Sequence, residues 1–302
     1  MSKSRIRPDR GLVTRMVATM FLLGLVYVIF IVALSYSGFP WYLVLLIAVG
    51  LFLAQYYFSD RIALYAMHAR EVSPAEAPEL HAIVDRLVAL TDVPKPRVAI
   101  ADSDIPNAFA TGRNARNSVV CVTTGLLRRL EPAELEGVLS HEMAHVAHRD
   151  VAVMTVASVL GVLAGFLTRM VLYTRMPIGR GRDSNNTAIA FFVVVIVSAL
   201  VYAVSFVLIR ALSRYRELAA DRTGAMVTGA PSQLASALVK VSGEMARIPT
   251  RDLRAAEPFN AFFFVPALSS GFSLSTLFAT HPPLEVRLDR LGQLSAQLGG
   301  PA

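Results

Sequence analysis

The chain has 302 residues, of which 54% are hydrophobic and only 17% charged; an average soluble domain carries about 25% charged residues. A disordered chain, a collagen and a coiled coil are thereby excluded. The net charge of +7 does not imply nucleic acid as a partner, because the arginines flank apolar runs instead of forming basic stripes. A single cysteine, Cys121, excludes an intrachain disulfide and a cysteine-based zinc cluster.

The apolar residues are concentrated. Met16 to Ser59 contains no Asp, Glu, Lys or Arg across 44 residues, and Ser184 to Ile209 none across 26. Four segments approach the ~20 residues that a helical span needs: Met16 to Leu34, Trp41 to Phe58, Val151 to Tyr173 and Ala188 to Ile209. The first is too long for a signal-peptide core, and a second follows at once. Lys3, Arg5, Arg7, Arg10 and Arg15 precede the first hairpin, and Arg61 and Arg70 follow it. The N-terminus and the chain beyond residue 60 are therefore expected in the cytosol. Arg210, Arg214 and Arg216 after the fourth segment agree. Arg175, Arg180 and Arg182 between the third and fourth do not, and they leave open whether the second hairpin crosses fully.

Between the hairpins, Leu80, Ile83, Val84, Leu87 and Val88 recur at helical spacing, and Pro94 and Pro96 end that helix. Residues 97–101, 107–111 and 118–123 read as short strands. Pro132 opens a helix with Glu131, Glu134 and Glu136 at its positive end. Helices are expected over 211–229, 231–246 and 283–297.

The helix opened by Pro132 carries His141-Glu142-Met143-Ala144-His145. Histidines four residues apart share a helix face and can converge on one metal ion. Glu142 stands one step round, placed to take a proton from an attacking water. This is the H-E-x-x-H arrangement of zinc hydrolases. A catalytic zinc needs a third protein ligand and one open position. A third histidine in the extended pattern fails, because His148 and Val151 stand where Gly and His are required. The candidate is Glu217, four residues before Asp221 on a later helix. Asp221 is placed to accept a hydrogen bond from a ligand histidine, fixing its tautomer. Both later apolar segments lie between His145 and Glu217, so either both cross or neither does.

Taken together, His141 to His145, the Glu217-x-x-x-Asp221 helix, Pro106-Asn107-Ala108-Phe109-Ala110-Thr111-Gly112 and Thr280-His281-Pro282-Pro283 give a chain that resembles the HtpX-type membrane zinc metalloproteases. These are relatives of the CAAX prenyl endopeptidases. The resemblance covers nearly the whole chain. It implies an α+β, mainly helical fold: four transmembrane helices in two hairpins and a cytosolic gluzincin-like zinc-peptidase domain with a small sheet. It implies a bacterial-type plasma membrane, one Zn2+ per chain, and misfolded membrane proteins as substrates. It also implies an edge strand at Asn107, Ala108 and Phe109 that holds substrate by strand addition. His281 is implied to stabilise the oxyanion, Arg287 to pair with the Glu217 and Asp221 helix, and Asp150 to be structural.

The expected organisation is an N-terminal hairpin (1–59), a first protease part (60–150), a second hairpin (151–210) and a second protease part (211–302). Two further readings are a zinc-stabilised scaffold without activity and a CAAX-type endopeptidase. The general base at Glu142 opposes the scaffold, and the short chain opposes the CAAX type. Phe262-Phe263-Phe264 and Gly161-x-x-x-Gly165 are weaker signals, for an interfacial contact and close helix packing.

Overall fold

The computed structural model describes residues 10–36, 41–91, 93–150, 154, 184–247 and 281–299. The third apolar segment, the loop arginines 175, 180 and 182, Gly161, Gly165 and Phe262 to Phe264 lie outside them.

Two long helices open the chain, α1 (Arg10–Tyr36) and α2 (Trp41–Ala66). Strand β1 (Ala69–Glu71), helix α3 (Pro78–Thr91) and strands β2 (Arg97–Ala101), β3 (Ala108–Gly112) and β4 (Ser118–Thr123) follow. The chain continues through α4 (Thr124–Leu127), α5 (Pro132–Ala147), α6 (Ser184–Thr228), α7 (Pro231–Arg247) and α8 (Leu284–Gly299).

The sheet runs β1-β2-β4-β3. Only β2 and β4 are parallel, and β3 is an edge strand paired antiparallel to β4. Side chains alternate across the sheet, and both faces are covered. Val98, Ala108, Val120 and Val122 face the main core, which is filled by Val84 and Leu87 of α3 and Leu139 and Met143 of α5. Ala99, Ala101, Phe109, Val119 and Cys121 face a second cluster under Ala63 of α2. Burial of Cys121 pushes its thiol up to about 12, so this thiol is a packed hydrophobe and not a nucleophile.

Helix α5 is the hub. Glu134, in its first turn, accepts from the Glu131 backbone N–H at 2.9 Å, the Ser236 hydroxyl at 2.6 Å and Lys240 at 2.8 Å. That ties the helix start to α7. Farther along, a Cβ on Gly137 would stand 3.1 Å from the Leu234 nitrogen, so glycine lets α7 lie close. Beyond His148 the chain turns left-handed at Arg149 (φ 57°). This ends the helix and sends Asp150 back toward the preceding turn.

The apolar helices differ from core helices in what they expose. Phe21 is 72%, Leu46 70% and Ile196 63% exposed, which suits side chains that face lipid. Among the described residues two stretches are long and apolar enough to cross a bilayer, Leu45–Ala66 and Val195–Thr228; Thr14–Phe30 is a shorter apolar stretch. Four spans are therefore not established: two meet the length, the first falls short and the third lies outside the described residues.

Two expected boundaries fall inside helices. Residue 60 lies within α2, whose last turns continue over the sheet. Residues 184–209 and 211–228 form one helix of 45 residues instead of a span followed by a separate helix. The reason is local: no Gly or Pro interrupts Ile209-Arg210-Ala211-Leu212, and Arg and Leu are strong helix formers.

Candidate metal centre

His141 and His145 stand on the inner face of α5, and Glu217 reaches them from α6. All three are buried. Their donor atoms form a small triangle. Nε2 of His141 is 3.2 Å from Nε2 of His145. Glu217 Oε2 is 3.5 Å from the first nitrogen, and Glu217 Oε1 is 3.4 Å from the second. Zinc bonds of about 2.0–2.1 Å in a tetrahedron require ligand–ligand edges of about 3.3–3.4 Å. The two ring nitrogens stand near that spacing, and the Glu217 carboxylate offers one oxygen to each of them at a similar distance. Among the described residues these three form the group of metal-binding character.

The opposite ring nitrogens meet carboxylates. Nδ1 of His141 lies 2.9 Å from Asp221 Oδ1, and Nδ1 of His145 lies 2.6 Å from Asp150 Oδ2. Each ring is thereby held with Nε2 toward the centre, and its basicity is raised. Arginines balance both aspartates. Arg287 of α8 donates to Asp221 through two nitrogens at 2.7 and 2.6 Å, and Arg216 Nε lies 3.1 Å from Asp150. Glu217 faces three histidines instead: the two above and His281, whose Nδ1 is 3.1 Å from Glu217 Oε2. Its charge must be balanced by a cation or by protonated rings.

The electrostatics of the ligand set point the same way. Burial opposes a charge on His145, but the hydrogen bond to Asp150 and the Glu217 carboxylate outweigh it and push the ring up to about 10. Burial likewise opposes a charge on Asp150, yet Arg216 and His145 hold its carboxyl below the usual range. The centre therefore calls for positive charge at its heart, and a divalent metal fits this donor set.

Glu142 stands beside the triangle, 5% exposed. Its Oε2 accepts from the backbone N–H of Ala110 at 2.9 Å. Burial raises its pKa; the nearby His141 and His145 oppose that shift only in part. A carboxylate raised toward neutrality suits a general base.

The sequence-derived residues thus assemble as follows. His141, His145 and Glu217 converge, with Asp221 behind His141 and Arg287 behind Asp221. His281 joins the group through Glu217. Asn107 is buried, and its backbone is pinned by Thr123: Asn107 N–H donates to Oγ1, and its carbonyl accepts from the Thr123 N–H, both at 2.9 Å. Ala108 and Phe109 point into opposite cores. His148 caps α5 near Thr223 and stands apart from the triangle.

The part that three contributors play at the centre is not legible in the sequence. Asp150 reaches His145 only because Arg149 takes a left-handed turn, which no spacing pattern reveals. Arg216 looked like a topology signal. Gly224 sits where α5 and α6 cross: a Cβ there would meet the His141 nitrogen at 2.8 Å. The Ser140 hydroxyl bonds the Gly224 carbonyl across the same crossing at 3.0 Å. Glycine at this point lets the Glu217 helix approach the histidines. The only available signal was a small residue one turn from Asp221.

Comparison with known proteins agrees with this geometry. The profile of Peptidase family M48 matches residues 74–295. The chain is 61% identical over 297 residues to Protease HtpX homolog 1 of Streptomyces coelicolor, covering 98% of this chain and 97% of that one. It is 53% identical over 299 residues to the Protease HtpX homolog of Moorella thermoacetica, covering 98% of each chain. In fold it is similar to the crystal structure of S. mikatae Ste24p, with a TM-score of 0.56 at 17% identity, over 94% of this chain and 67% of that one. The chain belongs to peptidase family M48 and is a metalloendopeptidase.

Proposed function

We propose that the chain is a zinc endopeptidase of a bacterial-type plasma membrane that cleaves misfolded membrane proteins at the cytosolic surface. The observation that carries this reading is the donor triangle with the Glu142 carboxylate beside it at a sheet edge. His141, His145 and Glu217 would hold zinc, which would supply Lewis acidity and a water acidic enough to react at neutral pH. Glu142 takes the proton of the attacking water and passes it to the leaving amine. Asp221 and Asp150 hold the two imidazoles in register. His281 steadies Glu217 through Nδ1, and its Nε2 is assigned to the carbonyl oxygen of the scissile bond.

Substrate presentation follows from β3. The Ala110 N–H points to Glu142 and not to β4. By the two-residue alternation, Ala108 and Ala110 turn their backbone groups to the open edge, while Asn107 and Phe109 turn theirs to β4. An extended substrate pairing with this edge lies alongside the general base. In this scheme Asn107 and Phe109 set the strand's position, and Ala108 and the Ala110 carbonyl touch the substrate backbone, while the Ala110 N–H holds Glu142. Glu217 lies eight residues beyond Ile209, about 12 Å along the helix. This spacing supports a site close to the bilayer, on the face marked by Arg210, Arg214 and Arg216.

The test is cleavage of an unfolded membrane-protein substrate by the detergent-purified chain. Chelation should abolish it, and zinc should restore it. The Glu142→Gln variant should retain zinc while its rate falls by about 10²–10⁴-fold. Cleavage unaffected by chelator, or an unchanged rate in Glu142→Gln, overturns the reading.

A further inference from the structure

One basic cluster plays no part in the metal centre. A cavity of about 410 Å³ lies where α1, α6 and α8 meet. Each helix gives it one arginine: Arg15, Arg222 and Arg290. The three are exposed, and among the described residues none makes an ion pair with a carboxylate. Arg15 lies over the Tyr215 ring at 4.3 Å, which orients its guanidinium without neutralising it. The nearby acids are already engaged. Asp221 is held by Arg287 and His141, and Asp289 accepts from Gln293 at 3.0 Å.

The apolar surroundings fix the level of this cluster. Arg15 directly precedes the 44-residue uncharged run that begins at Met16. Leu218 and Leu294 line the same cavity. Three cations thus ring a partly apolar hollow level with the start of the long uncharged run in α1. We propose that this cavity binds the phosphate of an anionic phospholipid headgroup, with the glycerol and first methylenes against Leu218 and Leu294. The bound lipid joins α1 to α6, the helix that carries Glu217 and Asp221. The assignment stands on the arginines and the apolar run, and does not require the proteolytic mechanism.

Lipid binding to the full-length, metal-loaded chain in detergent, measured by native mass spectrometry, tests it. Phosphatidylglycerol should bind more tightly than phosphatidylcholine. Arg15→Gln, Arg222→Gln and Arg290→Gln should each weaken phosphatidylglycerol binding about five-fold, from ~1 kcal/mol per basic residue at an anionic surface. The triple change should weaken it about a hundred-fold. A matched triple change at Arg61, Arg70 and Arg128 should leave it nearly unchanged, and metal content should report intact folding in every variant. Should the triple change unfold the chain, the single changes carry the same comparison. Equal phosphatidylglycerol binding by the native chain and the cavity variants overturns the proposal. Binding of inorganic phosphate without phosphatidylglycerol overturns the lipid assignment.

Discussion

The two histidines of the α5 helix are supported in different ways. His145 is served locally: Asp150 is five residues away and reaches it after one left-handed turn. His141 is served from a distance: Asp221 comes from α6, and Asp221 is clamped by Arg287 of α8. The first support needs little beyond the end of one helix and Arg216. The second needs three helices packed in register. One half of the metal centre thus follows from local chain geometry, and the other reports on the whole tertiary fold.

The sharpest way to break this contrast is through the arginines. Arg287 is 2% exposed, and Arg216 is 9% exposed. Arg287→Leu removes both guanidinium bonds from the buried Asp221 carboxylate, leaves it only His141, and should cost about 3–5 kcal/mol of stability. Arg216→Leu should cost clearly less, because Asp150 loses one contact at 3.1 Å where Asp221 loses two at 2.6 and 2.7 Å. Thermal unfolding of both variants in detergent checks this. Equal losses would show that the two supports are energetically alike.

Gly224→Ala comes next. The added methyl meets the His141 backbone and must push α5 and α6 apart, at about 1–3 kcal/mol for overpacking. The distant support should suffer and the local one should not. Double-mutant cycles on metal affinity make this specific. Gly224→Ala should be strongly non-additive with Asp221→Asn and nearly additive with Asp150→Asn. Additivity with both would mean that the crossing does not position Asp221.

The aspartates themselves rank third. Each Asp→Asn change should lower metal affinity about 10–100-fold. The loss should be greater for Asp150→Asn, whose contact with its histidine is 2.6 Å against 2.9 Å for Asp221. Competition with a fluorescent zinc chelator measures both. The reverse order would show that the clamp by Arg287 matters more than the length of the contact.

What could be read from sequence follows the same division, with a twist. His141, Glu142 and His145 were legible because helical spacing alone sets their relation. Glu217 and Asp221 were legible because they share a spacing of four and because the topology requires them to return to the same side. Strands β2, β3 and β4 and helices α3, α5, α7 and α8 followed from periodicity and from prolines at their starts. The local partner Asp150 was seen but given only a structural role, since its position depends on a backbone turn at a non-glycine residue. Strand β1 escaped notice because three residues carry no periodic signal. The unbroken course of α6 did too, because the charge change at Arg210 suggests a boundary where the backbone has none. His281 was expected at the reacting carbonyl, and its contact with Glu217 depends on where α8 docks.

The smallest expected effect concerns the helix crossing. The Ser140 hydroxyl donates to the Gly224 carbonyl between the two helices. Ser140→Ala removes that bond, but the carbonyl still accepts from Thr228 Oγ1 at 3.1 Å. The acceptor is therefore not left bare, and the loss should stay near the net value of one hydrogen bond, about 1 kcal/mol. Metal affinity should hardly change, because the close approach is set by the missing side chain at Gly224 and not by this bond. A drop in metal affinity as large as that of Gly224→Ala would show that the hydrogen bond, and not the glycine, brings Asp221 to His141.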